Sequence, residues 1–374
     1  MAERPSRGGP LRVAIVTNIP TPYRIPVYDL LGDVEGFTVR VFYFAEREFN
    51  REWVLERPRV DSEVLPSSTL HWRGRDIHFS RGVWRRLDRF RPDVVMTNGF
   101  NPALLVAFAW AVAHRVPHVA QTDGTPDLER RLGSVHRVVR RIVSRRSAAT
   151  VAAARAGLDL LVQWGADPST RHVSALAVDN DRFRADPAEG RDVDVLFSGR
   201  LDERKDPLLV LRAAAAAADR LHRPLRVALL GDGPQRGLVE RFAVEHADRV
   251  EVLLPGFLQQ DALPDWYRRA RSFLFPSHED AWGLVVNEAA AAGVPQLVAR
   301  TAGARELVDE GASGHVLDVD DEPAWVDALV RMLGDEPRRA AMGRAALEQV
   351  APFTYSAAAH GIEAALREAT ASRR

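Results

Sequence analysis

Short, uninterrupted apolar runs alternate with helix-forming segments along the whole chain, and this alternation constrains the fold more than any other feature. Runs apolar at successive positions, rather than at every second one, suit strands buried on both faces, as in a parallel sheet covered by helices. The candidate strands are LRVAIVT (11–17), TVRVFYF (38–44), DVVMT (93–97), HVAQT (118–122) and ATVAA (149–153). After a gap come DVLFSG (194–199), LRVALLG (225–231), VEVLLPG (250–256), SFLFP (272–276) and PQLVA (295–299). Segments such as DPLLVLRAAAAAADRLH (206–222) supply the intervening helices. So many buried strands exceed one compact sheet, and 374 residues suit two ordinary domains. The break falls at VDNDRFRADPAEGRDVD (178–194), which is polar, holds Pro187 and Gly190 and lacks apolar periodicity. The sequence therefore predicts an α/β protein with two doubly wound, Rossmann-like domains, 1–178 and 194–350, joined by a linker at 179–193. Residues 351–374 are predicted to form a further helix that crosses back to the first domain.

Bulk properties exclude several functions. Acids and bases balance at 51 each, so no global field favours nucleic acid or a polyanion. The chain has no cysteine, which removes disulfides, thiol nucleophiles and cysteine-based metal sites. The opening MAERPSRGGP has no apolar core, and the longest apolar stretch, Ala103 to Ala113, is well short of a membrane span. A cytoplasmic protein is the expectation.

Ligands in such sheets bind beyond the carboxyl ends of the strands, so the chemistry is sought in the loops that follow them. In SGRLDERKD (198–206), Arg200 and Lys205 follow a strand, and two cations there suit an anion. LLGDGP (229–234) is a glycine-rich turn in which the backbone can approach a ligand closely. In SHEDAWGLVVNEAAAAGVP (277–295), a helix is predicted to begin near Trp282-Gly283, and its first amides suit a phosphate. Glu288 lies inside the apolar part of that helix, and a buried carboxylate there needs donors, either sugar hydroxyls or an internal partner such as an arginine. Asp280, eight residues earlier and ahead of the helix, can reach the same place.

These motifs together resemble retaining glycosyltransferases of family 4, which have the GT-B fold. Asp280-x7-Glu288 with Trp282-Gly283-Leu284-Val285 is similar to that family's E-x7-E signature. Gly199-Arg200-Leu201 with Lys205, Gly231-Asp232-Gly233-Pro234, Pro255-Gly256-Phe257, Gly303 with Glu306, and Gly314-His315-Val316 follow in the family's order. The resemblance covers nearly all of the second domain. It extends more loosely to the first through Asn18-x-Pro20-x-Pro22-Tyr23-Arg24-x-Pro26. It implies two Rossmann-like domains facing across a cleft, and a nucleotide-diphosphate sugar as co-substrate with no metal. The leading expectation is a UDP-sugar, although the sequence itself reveals neither base nor sugar. It implies catalytic roles for Arg200 and Lys205 on the diphosphate and for Asp280 on the donor sugar. Gly199, Gly283 and Leu284 match its phosphate-binding backbone, Glu288 the ribose contact and Phe257 the loop beside the base. Two departures stand out. The first acid is Asp280 rather than Glu, with Glu279 just before it. In the first domain NIPTPYR and QTDG replace a glycine-rich loop and a histidine, leaving Tyr23, Arg24 and Asp123 as acceptor-side candidates.

Between 128 and 146, LERRLGSVHRVVRRIVSRR carries seven arginines from 130 onward and no acid over that stretch. Leu132, Val135, Val139 and Ile142 are predicted to face the core. That leaves the arginines as a solvated face or as a contact for an anionic acceptor or membrane surface. DVD at 192–194 and 318–320 reads as strand-entry and helix-cap acid rather than as a metal site. His78, His114, His118 and His172 lack ligand spacing. The predicted activity is transfer of a sugar to an acceptor hydroxyl on a lipid, glycan or small molecule, with contact at the inner membrane face. A GT-B epimerase or phosphorylase, or a sugar-binding protein without turnover, are the alternatives.

Overall fold

The computed structural model describes residues 9–46, 53, 55–72, 75–80, 82–129, 132–185 and 190–371. Most of MAERPSRGGP, together with Arg130, Arg131 and Pro187, lies outside the described residues. The chain falls into two compact units, residues 1–176 with 355–374, and residues 177–354.

The strands of the first unit are β1 (Leu11–Thr17), β2 (Phe37–Tyr43), β3 (Asp61–Val64), β4 (Ser67–Trp72), β5 (Arg75–Ser80), β6 (Val94–Asn98), β7 (His118–Thr122), β8 (Ala149–Ala152) and β9 (Arg171–Val173). Seven of them form one parallel sheet in the order β3-β2-β1-β6-β7-β8-β9. β4 and β5 make a separate antiparallel hairpin. β1 explains the unbroken apolar runs. Val13 and Ile15 pack with Tyr28, Leu31 and Ile362 on one face, whereas Ala14 and Val16 pack with Leu87, Leu104 and Trp110 on the other. Successive side chains point to opposite faces, and both faces are covered. The last helix, Tyr355–Ala371, belongs to this unit and lies on the same layer as the helix Ile25–Gly32.

The second unit holds β10 (Val193–Ser198), β11 (Leu225–Leu230), β12 (Val250–Gly256), β13 (Ala270–Phe275), β14 (Gln296–Ala299) and β15 (Gly314–Leu317). They form one parallel sheet in the order β12-β11-β10-β13-β14-β15. The helix Pro207–Leu221 starts where Asp206 caps the Leu209 amide at 3.0 Å and Pro207 fixes the first turn. The stretch read as a linker also carries structure. Asn180–Phe183 is helical, Phe183 meets the Tyr267 ring edge-on at 5.5 Å, and buried Arg191 donates to the carbonyls of Ala270 and Ala292.

Both sheets reverse their winding once, between β1 and β6 in the first unit and between β10 and β13 in the second. At such a reversal the two following loops diverge to opposite faces and leave a crevice at the carboxyl ends of the strands.

The helix Ser134–Arg146 corrects the predicted core face. Val135 is 73% exposed, Val138 54% and Ile142 48%, while Val143 and Ser144 are the buried positions. The core on this side is small: Val143 meets Phe108 and Ala120, with Val139 partly covered. One arginine also departs from the outward pattern. Arg140 pairs with Glu129 at 2.6 Å and lies over the rings of Phe100 and Trp164. Arg137, Arg141, Arg145 and Arg146 are exposed.

Candidate functional site

In the second unit the loops after β10 and β13 meet beside the winding reversal. Gly199 leaves β10 with its amide bonded to the Leu230 carbonyl at 2.9 Å, so the turn is anchored to β11. Gly231 follows β11 so closely that a Cβ there would stand 2.0 Å from the Gly199 carbonyl oxygen. The glycine-rich turn after β11 is therefore needed for packing against the Gly199–Leu201 turn, whereas the sequence suggested approach to a ligand. Arg200 stands half exposed, with its Nε 3.5 Å from Asp202.

Lys205 is nearly buried. Its ammonium pairs with Asp280 and lies 4.5 Å from the centre of the Phe275 ring. Burial lowers its pKa below the usual lysine value although Asp280 opposes that shift. Asp280 also accepts the Trp282 amide at 3.2 Å, and Arg204 stands 4.0 Å from it. Of the two adjacent acids, Asp280 is the carboxylate in contact with Lys205, while the Glu279 carbonyl accepts from Arg204 and Ser277.

The helix Leu284–Ala291 begins at Gly283, whose φ of +103° is a conformation that glycine adopts without strain. A Cβ at that position would stand 2.6 Å from the Phe275 ring, so glycine is required twice over. No side chain caps this end. The Val286 amide bonds back to Gly283, and the amides of Leu284 and Val285 stand in the first turn, where a helix offers no carbonyl. Glu288 is 8% exposed and accepts from the Tyr267 hydroxyl at 2.6 Å. Burial pushes its pKa up to about 7, opposed by that hydrogen bond and by the charge of Arg182. The same contact and burial push the Tyr267 phenol well above its usual value. Sequence reasoning missed Tyr267, which sits on the helix Leu263–Arg269 with no motif around it. Trp282 is fully buried against Phe353 and donates to Asn287 at 2.7 Å, which makes it packing. Phe257 stands 40% exposed just beyond β12.

The acceptor-side candidates come together in the first unit. Arg24 is 4% exposed and donates to Asp123 at 2.6 Å and to Ser174 at 3.3 Å. Tyr23 meets Trp53 edge-on at 6.3 Å. Tyr23, Arg24, Trp53 and Asp123 line a cavity of about 220 Å³ together with Asn18 and Asn98, at the ends of β1 and β6.

Among the described residues no group of three His, Asp or Glu side chains could hold a metal ion. The two DVD motifs have other work. Asp192 and Asp194 pair with Arg223, Arg226, Arg269 and Arg271 at the start of β10, and Asp318 accepts the Asp320 amide. His118 is buried between Thr97 and Ser147, and burial pushes its pKa down to about 3. No helix among the described residues is long and apolar enough to cross a membrane.

The model described as Glycosyltransferase Family 4 matches residues 33–182, and that described as Glycosyl transferases group 1 matches 179–349. A protein of Corynebacterium diphtheriae named D-inositol 3-phosphate glycosyltransferase is 36% identical over 184 residues, 46% of this chain and 42% of its own length. A protein of the same name from Frankia alni is 34% identical over 229 residues, 56% of each chain. The chain thus spans about half the length of the curated relatives it matches. Among solved structures, HepE of Anabaena in complex with UDP has a TM-score of 0.76 at 18% identity, covering 94% of this chain and 98% of that one. Sucrose-phosphate synthase from Thermosynechococcus elongatus scores 0.71 at 18% identity, covering 97% and 100%. At that identity the likeness concerns the fold: two Rossmann-like domains of GT-B type.

Proposed function

This chain belongs to glycosyltransferase family 4, and on that premise we propose that it moves a sugar from a nucleotide-diphosphate sugar to an acceptor hydroxyl. The carrying observation is the convergence of Arg200, Lys205 and the uncapped helix start at Gly283 on the winding reversal of the second unit. Arginine offers a planar fork, lysine a compact charge and the helix its orphan amides, a set suited to a departing diphosphate. In this reading the diphosphate displaces Asp280 as the partner of Lys205, and the released carboxylate accepts hydroxyls of the donor sugar. Glu288, oriented by Tyr267, accepts the ribose hydroxyls, and Phe257 lies beside the base. The donor is a UDP-sugar, in keeping with the UDP and UDP-glucose complexes of HepE. Positive charge from the protein itself supports a metal-independent reaction. Once released, Asp280 is engaged by the donor-sugar hydroxyls and the Trp282 amide rather than poised as a nucleophile, which favours attack on the face the diphosphate leaves, and hence retention. Tyr23, Arg24 and Asp123 serve the acceptor. The exposed basic helix Ser134–Arg146 gives peripheral contact with an anionic membrane surface.

A thermal-shift screen against UDP-, GDP-, ADP- and TDP-sugars tests the donor assignment, because a bound ligand stabilises the fold by mass action. UDP-sugars should raise the melting temperature most. Arg200→Ala and Lys205→Ala should each lower turnover by roughly 10²-fold or more while the protein stays folded. Wild-type turnover in both variants, or no shift with any nucleotide sugar, would overturn the reading.

A further inference from the structure

We infer that the cavity of the first unit binds an uncharged sugar ring or comparable polyol as the acceptor, and excludes a phosphorylated one. This deepens the proposed function by naming the substrate class of its acceptor side. The relatives it matches are named for a phosphorylated acceptor, D-inositol 3-phosphate, so the inference separates this chain from them.

The first argument is charge. Among the described residues lining the cavity, Arg24 is the one cation, and all but its buried Nε–H is already engaged. One terminal nitrogen donates to Asp123 at 2.6 Å and the other to Ser174 at 3.3 Å. In the orientation that satisfies its amide, buried Gln121 accepts from both, at 3.1 and 2.8 Å. The four terminal N–H groups of the guanidinium therefore have protein acceptors, and Asp123 balances its charge. The carboxylate is the more accessible half of this pair: Arg24 is 4% exposed at its side chain and Asp123 27%. An entering ligand meets a carboxylate in front of a neutralised arginine. A hydroxyl donates to that carboxylate, whereas a phosphate is repelled by it.

The second argument is shape and polarity. At about 220 Å³ the cavity is large enough for several waters, which is room for a single sugar ring. Asn18, whose oxygen also accepts from Asn101, and Asn98 bring amides from the ends of β1 and β6, a group type that can both donate to and accept from hydroxyls. Tyr23 and Trp53 stand edge-on at 6.3 Å and give the wall two aromatic rings against which the C–H face of a ring can pack. Neutral amides, one balanced ion pair and two aromatics make a lining for a polyol. The crevice lies beside the winding reversal of its own sheet, where doubly wound folds bind ligands.

The test is saturation-transfer NMR on the 374-residue chain, with a panel of methyl hexopyranosides competing against the corresponding hexose 6-phosphates and inositol phosphate. It needs no turnover and no donor. At least one methyl glycoside should bind, and its phosphorylated counterpart should bind about tenfold more weakly or not at all. Asn98→Ala should weaken the neutral ligand several-fold with the fold unchanged. Asp123→Asn leaves Arg24 uncompensated, so the preference should turn towards the phosphate. A wild-type protein that prefers the phosphorylated sugars, binds none of the glycosides, or keeps its preference in Asp123→Asn overturns the inference. A UDP-sugar thermal shift on the same sample keeps the two readings apart. A shift with the wrong acceptor preference sinks only this inference, whereas no shift sinks the proposed donor chemistry.

Discussion

Glu288 is held in a protonation state that its proposed role would reverse. Its carboxyl is buried beside Tyr267, and its pKa stands at about 7 against 4.5 for an ordinary glutamate. Between those two values the folded chain keeps a proton that the unfolded chain releases, so stability falls as pH rises across that window. Below 4.5 both states are protonated and above about 7 both are ionised, so the contribution is flat outside it. At 1.36 kcal/mol per unit the loss is on the order of 3 kcal/mol at most. Glu288→Gln imitates the protonated form at every pH. Urea unfolding at pH 4.5 and pH 8 should therefore show the Gln variant gaining on wild type by that order at the higher pH. Parallel profiles would mean that Glu288 ionises without cost in the fold. Ribose hydroxyls donate to a carboxylate, so nucleotide binding should release a proton and tighten as pH approaches about 7. Titration calorimetry in buffers of different ionisation enthalpy measures that proton, and Glu288→Gln should abolish it.

Single elements differ in how well their sequence announces them. β1 and β10 were legible because both faces are buried at their centres, which leaves the runs Val13–Val16 and Val195–Phe197 unbroken by polar residues. The polar edge strand β3 (DSEV) and the three-residue β9 were missed, since neither buries two faces of a sheet, and the β4–β5 hairpin was missed because it stands outside the parallel sheet. At the site, the spacing from Asp280 to Glu288 could be read along the chain. The pairing of Asp280 with Lys205 and of Glu288 with Tyr267 joins residues far apart in sequence, and no local signal carries it. The helix Ser134–Arg146 failed for another reason: Val135, Val138, Val139, Ile142 and Val143 spread over two overlapping faces, and either could be the core. The structure buries Val143 and leaves Val135, Val138 and Ile142 outward among exposed arginines. Apolar side chains flanked by cations suit the headgroup region of an anionic bilayer, where charge attracts and apolar area anchors. Sedimentation with phosphatidylglycerol vesicles should bring the protein down, and much less of it with phosphatidylcholine alone. Val138→Ser with Ile142→Ser should reduce binding at every salt concentration, since it removes the apolar part. Arg141→Gln with Arg145→Gln should reduce it most at low salt. No sedimentation with the anionic vesicles would remove the membrane contact from the reading.

At the scale of the molecule, chain order and unit order part company. The helix Tyr355–Ala371 follows the whole second unit yet completes the core of the first. Ile362 and Leu366 are fully buried there among Val13, Ile15 and Tyr28, and Ala358, Ala365 and Ala369 fill the spaces between. Glu368 meets His172 on β9 at 2.6 Å. Burying one such Ile or Leu contributes about 1.5–3 kcal/mol. The two together approach 3–6 kcal/mol, before the alanines are counted, against a typical domain stability of about 5–15 kcal/mol. A chain ending at residue 354 should therefore lose the first unit while keeping the second, whose core draws nothing from the missing helix. Hydrogen exchange resolves the two outcomes. Amides of β1, β6 and β7 should lose protection while those of β10, β11 and β13 keep it, and the truncated protein should still be stabilised by the nucleotide sugar. It should no longer bind an acceptor, because Arg24 and Asp123 depend on that sheet for their positions. Equal loss of protection in both units would show that the second cannot stand alone. Retained protection in β1 would show that its core is sufficient without the helix. Donor binding without acceptor binding in the truncated chain would assign the two halves of the proposed reaction to separate units.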